Sequence, residues 1–201
     1  MPTRPTQALL VGERVVLRAP RRSDVERFIA AAAASRRLHA SWVSAPTTRE
    51  AFNAYVARFG ARRARDPSHV GYVALRRDDD SLVGVFNLSE IVRGAFQSAY
   101  LGYYGFRANA GRGLMKEGIA LALDAAFGRL ALHRVEVNIQ PGNTRSIGLV
   151  TTVGFAQEGF SRRYLRIAGR WRDHVRFAML AEDWGAQRRS SPGRRAARRA
   201  P

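Results

Sequence analysis

The chain has 201 residues, a formal net charge of +18 and no cysteine. That length suits one domain, able to bury a sizeable core without a disulfide or metal staple, and the lack of cysteine excludes thiol nucleophiles, disulfide frameworks and the usual structural zinc sites. Of 34 basic residues Lys116 alone is lysine, a skew that reads as coding bias as much as chemistry.

From the N-terminus, the apolar run 8–11 is too short for a signal-peptide core. The longest apolar stretches, 28–34 and 119–127, fall short of a membrane span, and Asp124 interrupts the second. The expectation is a cytoplasmic protein with no membrane partner. Residues 1–13 read as an N-terminal extension and 14–184 as the single domain. Residues 185–201 read as a disordered Arg-rich tail. Six arginines and no acid lie in 188–201, and removing them leaves +12 on residues 1–187. Such a tail either binds RNA, as on a ribosome, through non-specific charge or only solubilises the chain.

Residues 14–18 (RVVLR) form a β-branched run that predicts a strand. Ser23 to Glu26 has the spacing of a capping box and opens a helix to about Ser35. Thr47 to Glu50 repeats the signature and opens a second helix, with Phe52, Val56 and Phe59 on one face. Three β-rich runs, 70–76, 82–91 and 97–105, follow as an antiparallel meander, because Asp78 to Ser81 and Arg93-Gly94 are turn chemistries. A loop at 106–112 leads into a helix over 113–130, with Met115, Ile119, Ala122, Ala126 and Leu130 at helical spacing. Residues 133–139 alternate as a strand. Asn143 caps a short helix that Gly154 ends, and strands 155–167 and 171–180 join at Ala168-Gly169. The order β-α-α-β-β-β-α-β-α-β-β implies an α/β (α+β) fold, a mixed, mostly antiparallel sheet flanked by helices.

The most informative segment runs from Tyr100 to Met115, a strand entering a glycine-bearing loop that opens a helix. The first helical turn presents unpaired N–H groups and the positive end of the helix dipole, and Gly111 and Gly113 permit close approach of a ligand. These are the requirements for holding a phosphate or pyrophosphate, although a plain turn has the same residues. No P-loop run is present, and Lys116 stands where a dinucleotide fingerprint needs its third glycine.

Ala110-Gly111-Arg112-Gly113-Leu114-Met115, then Asn143 with Ser146, then Val153-Gly154-Phe155, resemble the core of the GNAT (Gcn5-related) N-acetyltransferases. Ile91 to Phe96, Tyr100 to Tyr103, His133-Arg134 and Gly169 to His174 extend the likeness to the bacterial enzymes that acetylate the N-terminal alanine of ribosomal protein S5. The resemblance implies acetyl-CoA as co-substrate, no metal, and direct attack of an amine on the thioester. Its pyrophosphate would lie on residues Ala110, Gly111, Arg112, Gly113, Leu114 and Met115. Main-chain groups of Leu101, Gly102 and Tyr103 would meet the pantetheine arm where the strand splays at a bulge, as would Asn143. Ala110 and Met115 depart from the usual Gln/Arg and Gly/Ala of the loop. Arg112 offers a charge in compensation.

A base must take the amine proton and a donor must meet the departing thiolate. The tyrosine that many relatives use as donor is replaced by Val150, which leaves Ser146 as the hydroxyl candidate, or else an ordinary first-turn serine. Glu136, whose neighbours Val135 and Val137 point to the opposite face, is the catalytic base candidate, or else an ion-paired glutamate. Glu90, His39, His133 and His174 are reserves. An α-amine of pKa about 7.7–8.0 is roughly a fifth to a third neutral near pH 7.4, a lysine amine about one part in a thousand. A weakly equipped site therefore suits the N-terminus of a protein, and Trp42, Phe96, Tyr103 and Tyr164 are aromatic candidates to line its groove. A small cationic acceptor such as a polyamine or antibiotic, or an RNA-binding factor on the same fold, is the rival.

Overall fold

The computed structural model describes residues 10–40, 42–60 and 67–190. Its strands are β1 (Leu10–Val11), β2 (Val15–Arg18), β3 (Val70–Arg76), β4 (Leu82–Val92), β5 (Ser98–Gly105), β6 (Arg134–Ile139), β7 (Ala156–Ile167) and β8 (Arg170–Leu180). Its helices are α1 (Val25–Ala34), α2 (Arg36–His39), α3 (Arg49–Phe59), α4 (Leu114–Asp124), α5 (Thr144–Val153) and α6 (Ala181–Ser190). One eight-stranded sheet runs in the order β1-β2-β3-β4-β5-β6-β8-β7. Only β5 and β6 pair in parallel, which requires the crossover that α4 supplies.

Each strand sends alternate residues to opposite faces, and each face carries its own core. Leu17, Ala74 and Leu88 pack beneath Ile119 and Leu123 of α4 and Val150 of α5. On the other face Val73, Leu75 and Val85 meet Phe28 of α1 and Phe52 of α3. The Phe28 and Phe52 rings lie 4.6 Å apart, and Phe106 stands edge-on to Phe28 at 5.4 Å. Burying each such ring stabilises the fold by about 2–3 kcal/mol.

Four expectations are corrected. The capping box at Ser23 and Glu26 does not form. Asp24 takes the Arg21 N–H at 2.9 Å and ends a short 3-10 turn from which α1 continues. Its carboxylate also receives both terminal nitrogens of Arg18, at 2.7 and 2.6 Å, and the Arg27 side chain. Burial raises the Asp24 pKa, but the Arg18 and Arg27 hydrogen bonds and the Arg21 N–H outweigh it and hold the group below the usual carboxylate range. A capped start thus becomes a buried clamp between β2 and α1. The second cap is Thr48, which accepts from Ala51 N at 3.2 Å, one residue later than expected.

At the chain ends the boundaries shift. Leu10 and Val11 pair with Leu17 and Val16 as an edge strand, so the extension gives way to sheet before residue 14. Residues 185–190 are not a disordered tail but the end of α6. Trp184 Nε1 donates to Asp124 Oδ1 at 2.9 Å, Arg188 donates to Asp124 Oδ2 at 2.6 Å, and the Arg188 guanidinium lies 5.3 Å over the Trp184 ring. The acid that interrupts the apolar run 119–127 is therefore the anchor of the last helix. The remaining tail, 191–201, lies outside the described residues, as does most of the 1–13 extension. No helix among the described residues is long and apolar enough to cross a membrane.

Candidate active site

β5 and β6 pair only through Ser98–Arg134, Ala99–Val135 and Tyr100–Glu136, and then part. The split opens a cleft of about 1010 Å³, within the size range of small-molecule sites. The expected bulge is not at Gly102, which sits in register opposite Asn87. The register shift in that ladder falls between Ser89 and Val92. The main chain of Leu101, Gly102 and Tyr103 faces the opening because its parallel partner has left, and all three residues line the cleft.

On the helix side, Ala110, Gly111, Gly113, Leu114 and Met115 line the cleft, while Arg112 does not. Arg112 is exposed, and its carbonyl accepts from the Arg14 guanidinium at 3.1 Å. Gly111 and Gly113 have φ of 77° and 75°, the left-handed region that costs an L-residue roughly 1–2 kcal/mol. Gly113 is the N-cap of α4 and lends no side chain to it, so the first N–H groups of the helix keep no intrahelical acceptor and face the cleft end. Met115 fits because its side chain turns onto Gly84 and Gly105. A Cβ at Gly84 would stand 2.6 Å from the Met115 sulfur. Glu117, one turn in, accepts from the Arg14 and Val15 amides at 2.8 and 3.1 Å and ties α4 to β2, a link the sequence does not announce.

Two hydroxyls meet across the cleft on this side. Tyr103 Oη and Ser146 Oγ are 2.6 Å apart. Burial pushes the Tyr103 pKa up to about 12, against the lowering effect of the Ser146 hydrogen bond. Asn143 caps α5 by accepting from Ser146 N at 3.2 Å, and both residues line the cleft. Lys116 and Arg145, in the first turns of α4 and α5, also line it.

The opposite face of the sheet closes the other side. Tyr100 is level with Glu136, so Tyr100, Gly102, Tyr104, Glu136 and Asn138 share one face, away from α4 and α5. Across the antiparallel ladder Asn138 pairs with Arg176, which puts His174 two residues along on that same face. Trp42, His39, Tyr104, Asn138 and His174 all line the cleft here. Trp42 abuts the 141–142 turn, since a Cβ on Gly142 would lie 3.4 Å from its ring.

Glu136 is on the expected face but does not line the cleft. It is 9% exposed, and its Oε1 accepts from Arg134 Nε at 2.8 Å. Arg134 also grips Glu158 of β7, so the carboxylate belongs to an ion-pair network. Of the reserve groups, Glu90 sits beside His69 and Arg58, and His133 lies 3.6 Å from Glu182. Only His39 and His174 reach the cleft. Of the aromatics, Phe96 is 57% exposed outside the cleft and Tyr164 instead donates to Tyr100 Oη at 3.1 Å.

No aspartate or glutamate lines the cleft among the described residues. Two buried polar atoms there, Tyr104 Oη and Asn138 Oδ1, have no hydrogen-bond partner among the described residues. Buried polar atoms without partners are uncommon, and both belong to residues that line the cleft.

Residues 14–156 match the family described as "Acetyltransferase (GNAT) domain", and the chain belongs to that family. A stretch of 105 residues is 41% identical to "Probable N-acetyltransferase YjcK" of Bacillus subtilis (strain 168), covering 52% of this chain and 58% of that protein. Another of 117 residues is 39% identical to the ribosomal protein uS5-alanine N-acetyltransferase of Escherichia coli (strain K12), covering 58% and 57%. The chain thus matches little more than half the length of these curated relatives. Among solved structures, Mycobacterium smegmatis RimJ in complex with CoA-disulfide aligns with a TM-score of 0.77 and 28% identity over 84% of this chain and 83% of that one. Spermidine N-acetyltransferase from Vibrio cholerae, in complex with CoA and spermine, aligns at 0.71 with 22% identity over 86% and 99%, which shows the shared fold alone.

Proposed function

We propose that the chain is an acetyl-CoA-dependent N-acetyltransferase acting on the α-amine of a protein N-terminus, with the N-terminal alanine of ribosomal protein S5 as its substrate. The observation that carries the choice of acceptor is a cleft lined by no carboxylate among the described residues. A polyamine carries several positive charges and needs acids to replace its hydration. A peptide N-terminus needs one neutral amine and acceptors for its N–H groups, and the amine is often enough neutral near pH 7.4. The 39% identity to a uS5-alanine N-acetyltransferase supports the same acceptor.

Acetyl-CoA, when bound, supplies the thioester carbonyl and a sulfur leaving group. The residues present fit it. The amides of Leu114 and Met115 at the start of α4, with Gly111 and Gly113 leaving room for close approach, would hold the diphosphate, and Lys116 and Arg145 would face its phosphates. Leu101 to Tyr103 would offer main-chain groups to the pantetheine arm. Ser146 and Tyr103 would meet the sulfur. A phenol at about 12 lies some 3–4 units above a thiol near 8.5, so full proton transfer from it would cost about 5 kcal/mol. Tyr103 therefore stabilises the departing sulfur as a hydrogen-bond donor through Ser146 and stays protonated itself. The ribosome or RNA association expected of the arginines is not needed for any of these roles.

The test is competition between an Ala-starting peptide of the S5 N-terminus and spermidine for purified enzyme and acetyl-CoA, with mass spectrometry of ribosomal S5 from a deletion strain. We expect peptide acetylation at a kcat/KM at least about tenfold above spermidine, and unacetylated S5 in the deletion strain. Preference for spermidine, or S5 acetylated as before, overturns the reading of the acceptor.

A further inference from the structure

We propose that His174 is the base that removes the amine proton and that Asn138 holds the amine in place for it; this rests on reading the cleft as an N-acetyltransferase site. Both residues line the cleft on the face away from α4 and α5, and strand register puts them there together. With no carboxylate on the lining among the described residues, the side chains there with a nitrogen lone pair to offer are the imidazoles His39 and His174.

The two imidazoles are not equivalent. His39 spends its outer nitrogen, with Nε2 2.9 Å from the Gly105 carbonyl, and its ring is packed edge-on against Tyr104. A carbonyl only accepts, so that nitrogen carries the proton. In His174 the inner nitrogen is the engaged one, Nδ1 lying 3.0 Å from the Arg172 carbonyl. The proton is thereby fixed on Nδ1 and the lone pair on the outer nitrogen, Nε2. Nε2 makes no hydrogen bond among the described residues. The ring is 2% exposed and packs 5.8 Å from Tyr164, so its orientation is set before an amine arrives.

Other charged and titratable groups on this face are accounted for. On β8 they are Arg172 and Arg176; on β7 Tyr164; on β6 Arg134 and Glu136; on β5 Tyr100 and Tyr104; on α2 Arg37 and His39; Asp173 alternates to the other face, where it accepts from Arg163 N at 2.7 Å. Burial lowers the His174 pKa despite the Arg172 carbonyl and the Asp173 charge, so the ring is neutral at pH 7. Asn138 Oδ1, buried and unpartnered, accepts one N–H of the amine. The nitrogen lone pair then attacks the carbonyl carbon, a C–N bond forms and the C–S bond breaks, with its electron pair leaving on sulfur. The one proton shed by the neutral amine passes to His174 Nε2 and from there to solvent or to the thiolate, so charge and atoms balance.

The experiment measures kcat, KM and the pH profile with an Ala-starting peptide for the wild type, His174→Gln, His174→Gly, His39→Gln and Glu136→Gln, with CoA affinity by calorimetry as the check on folding. We expect His174→Gln to lower kcat by about a hundredfold with CoA affinity within twofold, and added imidazole to restore part of the rate of His174→Gly. Wild-type kcat should fall at acid pH with an inflection below 6.5, and that fall should vanish in His174→Gln. A His174→Gln rate within threefold of wild type overturns the proposal, as does a hundredfold loss in His39→Gln or Glu136→Gln with His174→Gln unimpaired. Should the His174 variants lose CoA binding and so fail to fold, the wild-type profile decides: kcat flat from pH 5 to 8 overturns it. Wild-type enzyme that acetylates spermidine and no peptide removes the reading of the acceptor instead, and the same series is then read on spermidine.

Discussion

The two walls of the cleft are built from different chemistry. The wall formed by α4, α5 and the inner face of β5 offers main-chain N–H groups, two lysine or arginine side chains and a hydroxyl pair 2.6 Å apart. The wall on the opposite face offers two imidazoles, an unpartnered amide oxygen and aromatic rings. Donors and positive potential suit an anion and a leaving group that gains charge; acceptors and a base suit an amine that sheds a proton. A split sheet lets one strand, β5, serve both, because Tyr103 and Tyr104 point to opposite faces.

Three substitutions test how separable the walls are. The largest effect should fall on both at once. Asp24→Asn leaves Arg18 buried without its partner and should lower unfolding free energy by about 3 kcal/mol, read from urea denaturation. The sign with pH follows from the lowered Asp24 pKa. Its contribution is complete above the unfolded value near 3.9 and is lost as pH falls through the lower folded value, so acid titration should destabilise the wild type more than Asp24→Asn. Next, Gly113→Val forces a β-branched residue to φ 75° and should weaken CoA binding by about tenfold or more. Its KM for the peptide should be unchanged; a matching rise in that KM would show the walls coupled. Smallest, Tyr103→Phe should lower kcat by about three- to tenfold without changing either affinity, as expected for one neutral hydrogen bond of about 1 kcal/mol.

Much of the donor wall could be read from the sequence. Glycine at positive φ followed by a helix is a local signal, and Gly111, Gly113 and the Asn143 cap all depend on neighbours within a few residues. The alternation Val135-Glu136-Val137 also assigns faces correctly. The acceptor wall is less legible because its contacts cross the chain. Arg134 reaching Glu136 and Glu158 takes the expected base out of the cleft, and His174 enters it through the β6–β8 register, which no short motif encodes. The Ser23–Glu26 spacing misleads for a related reason: Asp24 is drawn into a buried bond with Arg18 that outcompetes a local cap. The tail misleads through composition alone, since Trp184 and Arg188 find their common partner in Asp124, sixty or more residues earlier.

Glu117 gives the glycine loop a mechanical neighbour. Because its carboxylate holds the Arg14 and Val15 amides while the Arg14 guanidinium holds the Arg112 carbonyl, any stiffening of that loop is handed directly to the rim of the sheet. Solvent exchange at the Arg14 and Val15 amides, where β2 begins, should therefore slow when the nucleotide end of the cleft is loaded.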